Sequence, residues 1–300
     1  MPCYHPIRAY RSKEGRNKNG KWPIVFSRSQ GYQDLPVEIP CGRCIGCRLE
    51  KSRQWAIRCV HESKLHVHNC FLTLTYDDDH IDDNSLNPDH ITKFLKRLRS
   101  RHNDKKIRYF QCGEYGDNFG RRHHHCVLFG FDFSDKIPYC RTKSGEILYN
   151  SDELSKLWPY GYATIGNVTF ESCAYVARYI TKKILGPDAE KWYEQRKKHP
   201  EYCTMSRRPG IGYEYYKKYG KDWYVRDQII IRDNLTCKPA KYYDYIYDME
   251  NPSGKRRIDG KRKKAAKLAE AENSPDRLAA KEQSQYLKQR EKNRRKQYGY

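Results

Sequence analysis

Apolar positions in the middle of the chain recur with two distinct periods, and each period predicts a different element. "FLTLTY" (Phe71 to Tyr76) is rich in β-branched and aromatic residues and ends in the polar run Asp77, Asp78, Asp79, His80, so it predicts a strand that delivers polar groups to a sheet edge. "NPDHITKFLKRLRS" follows, with Asn87 as N-cap, Pro88 at the first helical position and Ile91, Phe94, Leu95 and Leu98 on one face; this is a helix signature. "IRYFQCGEYG" (Ile107 to Gly116) and "HHHCVLFG" (His123 to Gly130) read as two strands joined by a short glycine-containing turn, a β-hairpin. In "ESCAYVARYITKKIL" (Glu171 to Leu185), 100° per residue places Cys173, Val176, Ala177, Ile180 and Ile184 on one face and Tyr175, Arg178, Tyr179 and Lys182 on the other. Strands alternating with amphipathic helices in this way predict an α+β fold, an antiparallel sheet backed by helices.

Charge narrows the partners. The 300 residues carry 59 Lys and Arg against 37 Asp and Glu, a formal net charge of +22, which favours a polyanion. Nucleic acid is the first candidate. No apolar run approaches the ~18 residues of a membrane span, and the N-terminal "MPCYHPIRAYRSK" has no apolar core of a signal peptide. We therefore expect a cytoplasmic chain whose 12 cysteines are thiols or metal ligands. Asn251 to Tyr300 holds 16 Lys or Arg against 6 Asp or Glu and lacks apolar periodicity, so it predicts a basic tail, fraying helix or disorder until DNA is bound, with a solvated solubility tail as the alternative. The 26 Tyr and 5 Trp interleave with cations, as in "GIGYEYYKKYGKDWYVRD" (Gly210 to Asp227), which suits either base stacking or an aromatic core.

Two clusters carry candidate chemistry. In the strand "HHHCVLFG", alternation sends His123 and His125 to one face, about 6–7 Å apart, and His124 to the other. Glu114 lies on the partner strand just before the turn. Two imidazoles and a carboxylate can hold one divalent cation and leave coordination positions open, as a Lewis acid requires. The second cluster is "CGRCIGCR", which spaces Cys41, Cys44 and Cys47 as CxxCxxC. A tetrahedral zinc would need a fourth ligand, for which Cys3 is nearest upstream and His5 the substitute. Free thiols and an iron–sulfur cluster are the alternatives, although the further Cys and Pro of the ferredoxin pattern are missing. Cys59, Cys112, Cys126 and Cys173 fall on apolar faces and are expected to be buried thiols.

Four segments, in order, carry a resemblance: "CGRCIGCRLEKSRQWAIR", "FLTLTYDDDH", "CGEYGDNFGRRHHHCVLFG" and "YVARYITKK", with "MSRRPGIGYEYY" (Met205 to Tyr216) as a further stretch. From about Cys41 to Tyr219 the chain resembles the replication initiator proteins of single-stranded DNA bacteriophages, the microviruses of gokushovirus type, within the HUH endonuclease superfamily. The resemblance implies an HUH-type antiparallel sheet flanked by helices over residues 51–235, between a Cys-rich segment (1–50) and a basic tail (236–300). It implies a Mg²⁺ or Mn²⁺ site at Glu114, His123 and His125, with His124 where the superfamily has a hydrophobic residue. It makes Tyr175 and Tyr179 the nucleophiles, Lys182 the group that orients phosphate or phenolate, and Arg178, Arg207 and Arg208 candidates for DNA contact. The implied activity is rolling-circle initiation: nicking and rejoining of single-stranded DNA at the viral origin through a 5′-phosphotyrosine, in the host bacterial cytoplasm, with host helicase and polymerase as partners. Two other classes compete. A non-catalytic DNA-binding or packaging protein would need only the basic tail and the aromatics, and a zinc hydrolase would use the histidines with water and have no need of Tyr175.

Overall fold

The computed structural model describes residues 3–18, 22–80, 85–116, 120–142, 145–179, 184, 186, 188–232 and 235–298. In chain order come β1 (Ile7–Ser12), β2 (Ile24–Val25), β3 (Gly31–Ile39), α1 (Ile45–Ser63), β4 (Asn69–Thr75), α2 (Pro88–Arg101), β5 (Arg108–Tyr115) and β6 (Arg122–Phe129). Then follow β7 (Ile137–Arg141), β8 (Ile147–Asn150), α3 (Asp152–Leu157), β9 (Ala163–Gly166), α4 (Phe170–Tyr179), α5 (Ala189–Gln195) and β10 (Tyr202–Met205). The last are α6 (Tyr213–Arg226), β11 (Ile229–Arg232), β12 (Leu235–Cys237), α7 (Lys241–Glu250), α8 (Pro252–Leu268) and α9 (Pro275–Tyr298). The chain forms two compact units: Met1–Glu50 with Ala265–Tyr300, and Lys51–Lys264. In the smaller unit β1 pairs antiparallel with β2 on one side and β3 on the other.

The larger unit is built on a seven-stranded sheet in the order β10-β5-β6-β4-β9-β8-β7, each pairing antiparallel. Side-chain alternation gives this sheet two different faces. On one, Cys70, Leu72, Leu74, Cys126 and Leu128 are buried against Ile91, Phe94, Leu95 and Leu98 of α2. The apolar stripe expected for α2 is therefore the stripe that packs. The expected cap is also in place, with the Asn87 side chain accepting from the Asp89 amide at 2.9 Å. On the other face, Phe110, Cys112, Val127 and Phe129 pack against Ala56 and Cys59 of α1 and Cys173, Val176 and Ala177 of α4. Cys59, Cys112, Cys126 and Cys173 are all fully buried, as expected.

α1 and β5 are fastened by a buried ion pair, Arg108 Nε to Glu62 Oε1 at 2.5 Å. Its remaining hydrogen bonds are made inside the unit: Glu62 Oε2 accepts the Gly212 amide at 2.6 Å and Arg108 donates to the Pro209 carbonyl at 2.7 Å. A buried pair lacking these bonds would cost several kcal/mol in desolvation.

Between Lys241 and Tyr298 the stretch expected as a partly disordered tail is largely helical, and its first part contributes to the core of the larger unit. Tyr243, Ile246 and Ile258 are buried with Tyr216 and Tyr224, and Tyr224 stacks on Tyr247 with ring centroids 3.8 Å apart. Within "KRKK", Arg262 is occupied structurally, binding both Asp227 oxygens at 2.8 and 2.5 Å and reaching Asp244 at 2.5 Å. The tyrosines between Gly210 and Asp227 thus serve in part as core rather than as a stacking surface. The core contacts of α7 are largely aromatic, with phenol groups kept hydrogen-bonded, such as Tyr224 to Asp244 at 3.0 Å.

His61 lies in this aromatic core, 4.4 Å from the Tyr215 ring centroid and hydrogen-bonded through Nδ1 to the Tyr243 hydroxyl at 3.0 Å. Burial, with help from the charge of Lys64, lowers its pKa to about 3. An unfolded histidine titrates near about 6.5, so its neutral form supports the fold above that pH and the support is lost as pH falls towards 3. We expect unfolding free energy to decline between pH 6.5 and 4. His61→Gln should flatten that decline by about 1–3 kcal/mol in denaturant titrations made at each pH.

Candidate metal and nucleophile site

The site begins with the register of one hairpin. β5 and β6 pair Glu114 with His123 and Cys112 with His125. Directly paired residues share a face, so Glu114, His123 and His125 lie on the face that carries Phe110, Cys112, Val127 and Phe129. The apolar surface under α4 therefore ends in three polar ligands. One ligand atom from each of Glu114, His123 and His125 lies within 4.8 Å of the others.

Both imidazoles aim Nε2 at the same carboxylate oxygen, Glu114 Oε1, at 2.5 Å from His123 and 3.2 Å from His125. Their Nδ1 atoms are held from behind, by the Arg121 carbonyl at 3.1 Å and by Thr73 Oγ1 at 3.2 Å. These contacts bring both rings and the carboxylate to one point, as the ligands of a single cation would be. Glu114 is 1% exposed. Burial by itself would raise its pKa, but the hydrogen bonds and charges of His123 and His125 outweigh this and hold it at about 2. It is a carboxylate at any ordinary pH.

His124 leaves by the opposite face. It is fully buried, with Nε2 3.1 Å from the Tyr76 hydroxyl and its ring edge-on to Trp158. Burial first, then the neighbouring His123, His90, His125 and Arg122, pull its pKa to about 3, so it is a neutral core group. Room for it comes from Gly113, paired opposite: a Cβ there would lie 2.7 Å from the Tyr202 ring and 3.2 Å from His124 Nδ1.

α4 supplies the phenol. Cys173, Val176 and Ala177 fix the helix on the sheet, and Tyr175 sits edge-on to His125 with centroids 5.0 Å apart. Phe71 stacks on His125 at 5.6 Å and meets Tyr175 edge-on at 6.4 Å, so the three rings contact one another. The Arg178 guanidinium lies 5.6 Å from the Tyr175 ring. Tyr179 is the last residue of α4; its side chain, and the whole of Lys182, lie outside the described residues.

Arg207 and Arg208 are exposed in the turn after β10. They follow Met205, whose partner on β5 is Phe110, so they sit towards the opposite end of that strand from Glu114. Thr73, Phe71 and the Arg121 carbonyl are members of the site that the sequence did not single out. The proximity of Thr73 to His125 depends on the β4–β6 register, which pairs the two. In the smaller unit, Cys3, Cys41, Cys44 and Cys47 converge with ligand atoms within 4.8 Å of one another, whereas His5 turns to Glu282 at 2.7 Å.

Residues 69–184, which span β4 to the segment after α4, match the family described as "Replication-associated protein ORF2/G2P". The chain is 34% identical over 288 residues to replication-associated protein VP4 of Bdellovibrio phage phiMH2K, covering 93% of this chain and 87% of that protein. It is 32% identical over 267 residues to replication-associated protein ORF2 of Spiroplasma virus 4, covering 83% and 81%. The chain belongs to the replication-associated proteins of the microviruses. A further such protein, ORF4 of Chlamydia phage 1, is 33% identical over 216 residues, 69% of this chain and 53% of that one. No solved structure matches. As a microvirus replication-associated protein, the chain has a role in phage replication, and no described helix is long and apolar enough to cross a membrane.

The two kinds of histidine in this replication-associated protein should separate in stability measurements. His124→Ala opens a hole between sheet and α2 and strips the Tyr76 hydroxyl of a partner, so it should cost about 2–4 kcal/mol in thermal or chemical unfolding. His123→Ala opens no hole in the core but takes one of two partners from the buried Glu114 carboxylate, so it should cost about 1–3 kcal/mol at neutral pH and much less in acid, where Glu114 is protonated, whereas the cost of His124→Ala persists.

Proposed function

We propose that this protein is a rolling-circle initiator that nicks and rejoins single-stranded DNA at the viral origin, with Tyr175 and Tyr179 as nucleophiles. The observation that carries this is the approach of the Tyr175 ring to within 5.0 Å of His125, a member of the Glu114–His123–His125 cluster. The donor set fits a hard divalent cation: one buried carboxylate and two imidazoles with their outer nitrogens engaged, their ligand atoms within 4.8 Å of one another. Mg²⁺ or Mn²⁺ held there would polarise the scissile phosphate and offset the charge that builds on it.

The remaining steps belong to the chain. Free tyrosine has a pKa near about 10 and is a weak nucleophile; the Arg178 guanidinium beside the ring favours the phenolate. Tyr175 Oη gives its proton to solvent and bonds to phosphorus while the bond from phosphorus to the 3′-oxygen breaks. The 3′-oxygen takes a proton from water, leaving a free 3′-hydroxyl as primer and a 5′-phosphotyrosine. Attack of a later 3′-hydroxyl on that phosphotyrosine reverses the exchange and joins DNA without ATP. Tyr179 lies one turn on and about 40° around the helix, so successive transfers alternate between the two phenols. Lys182 orients phosphate or phenolate, and Arg178, Arg207 and Arg208 contact DNA. The net charge of +22 supplies non-specific attraction. The origin is viral single-stranded DNA, and host helicase and polymerase act on the nicked strand in the bacterial cytoplasm.

Incubation with origin single-stranded DNA and Mn²⁺ should give a covalent adduct on denaturing gels, mapped by mass spectrometry to α4. EDTA, Glu114→Ala, His123→Ala or His125→Ala should reduce the adduct by at least ~10²-fold with DNA binding largely kept, whereas His124→Ala should retain it in whatever fraction remains folded. Each of Tyr175→Phe and Tyr179→Phe should still form adduct but fail to complete the paired cut and join. The double variant should form none. Normal adduct in the double variant would place the nucleophile elsewhere, and absence of adduct from the native protein would favour a non-catalytic DNA-binding role.

A further inference from the structure

We propose that Cys3, Cys41, Cys44 and Cys47 bind one structural Zn²⁺ as a tetrathiolate, and that this ion backs the packing of the basic helix α9. Sulfur atoms at the corners of a tetrahedron around zinc, with bonds of about 2.3 Å, lie about 3.8 Å apart. Here Cys41 Sγ is 4.0 Å from Cys47 Sγ, and Cys44 Sγ is 4.0 Å from Cys3 Sγ. Disulfide bonding needs about half that separation, and a [4Fe–4S] cluster puts each thiolate on a different iron, which spreads the sulfurs around a much larger body.

The backbone prepares the site for anionic sulfur. The Cys41 amide donates to Cys3 Sγ at 3.2 Å, the Cys44 amide to Cys41 Sγ at 3.3 Å and the Tyr4 amide to Cys44 Sγ at 3.4 Å. Gly42, at φ +75°, turns the chain between the first two cysteines of the run through the left-handed region. Cys44 and Cys47 flank the first turn of α1, whose 19 residues direct a positive dipole end at the cluster. Four buried or half-buried thiols in this arrangement make a closed, open-position-free site, which is structural rather than catalytic.

The knot is also the floor for α9. Leu278 is buried against Tyr4 and Cys44, and one turn further along α9 Glu282 pairs with His5 at 2.7 Å. Lys281 and Arg277 also reach Glu272, but Leu278 is the residue of α9 buried in this cluster, and a helix of low apolar content has little intrinsic hold on a fold. Zinc fixes the loop that presents Tyr4 and Cys44. Metal content thereby decides whether the basic C-terminal helix is presented in a fixed orientation or released.

The full-length chain, purified without added metal or DNA, should carry one zinc per chain by elemental analysis. Co²⁺ exchange should give the visible bands of a tetrahedral tetrathiolate. Cys3→Ser and Cys47→Ser should lower the zinc content, and zinc removal from the native chain should speed amide hydrogen exchange in α9 while exchange in β5 and β6 stays slow. Glu114→Ala and His125→Ala should leave the count at one. A count that falls with those two but not with Cys47→Ser would put the zinc in the histidine site and overturn the proposal. So would a metal-free native chain, or iron with acid-labile sulfide. Unchanged exchange in α9 after zinc loss would overturn the link to the helix.

Discussion

The pairing of Glu114 with His123 across the β5–β6 hairpin is the constraint on which the candidate site rests. Side chains along a strand alternate, so a slip of one residue would exchange the faces. His124 would then enter the cluster, and His123 and His125 would be driven into the packing against α2, where Tyr76, Trp158 and Phe94 leave space for one neutral imidazole. The cost of burying two polar rings where one fits, and of repacking both covered faces of the strand, locks the register. Gly113 makes the native choice possible by leaving room opposite His124. The polar site is thus held in place by apolar packing on the reverse side of the same strand.

The same economy governs the other charged groups. Glu62 and Arg108 are buried together only because Gly212 and Pro209 satisfy their remaining hydrogen bonds, and Arg262 is drawn out of a basic run by two aspartates. A net charge of +22 gives no information on which cations are free for DNA and which are internal fasteners. That division follows from where the aspartates and glutamates arrive in space. For a replication-associated protein the consequence is that DNA contact must be assigned cation by cation and not by charge density along the chain.

Tyr175 has a dual position. Its helix is anchored by Cys173, Val176 and Ala177 in the core, and its ring is packed against His125 and Phe71. A phenol on a well-anchored helix is oriented before any partner binds, which lowers the entropic cost of engaging one. The aromatic surround also excludes water from one side of the imidazole cluster, which strengthens electrostatic interactions there.

The sequence by itself determined the α+β class, the helix capped by Asn87, the hairpin, the face on which each of the three histidines points, and the burial of Cys59, Cys112, Cys126 and Cys173. These are local matters: periodicity, capping and alternation depend on neighbours within one element. It also marked Cys41, Cys44 and Cys47 as a group, since all three lie within seven residues. It took the tertiary structure to decide that Cys3 and not His5 joins them, that Thr73 and Phe71 flank His125, that Arg207 and Arg208 sit towards the far end of β5 from Glu114, and that Tyr243, Ile246 and Ile258 enter the core while α9 packs with the N-terminal segment. Each of those depends on contacts between residues distant along the chain. Their pairing is set by strand order and by the competition of buried aromatic and charged groups for partners, neither of which leaves a periodic trace in the sequence.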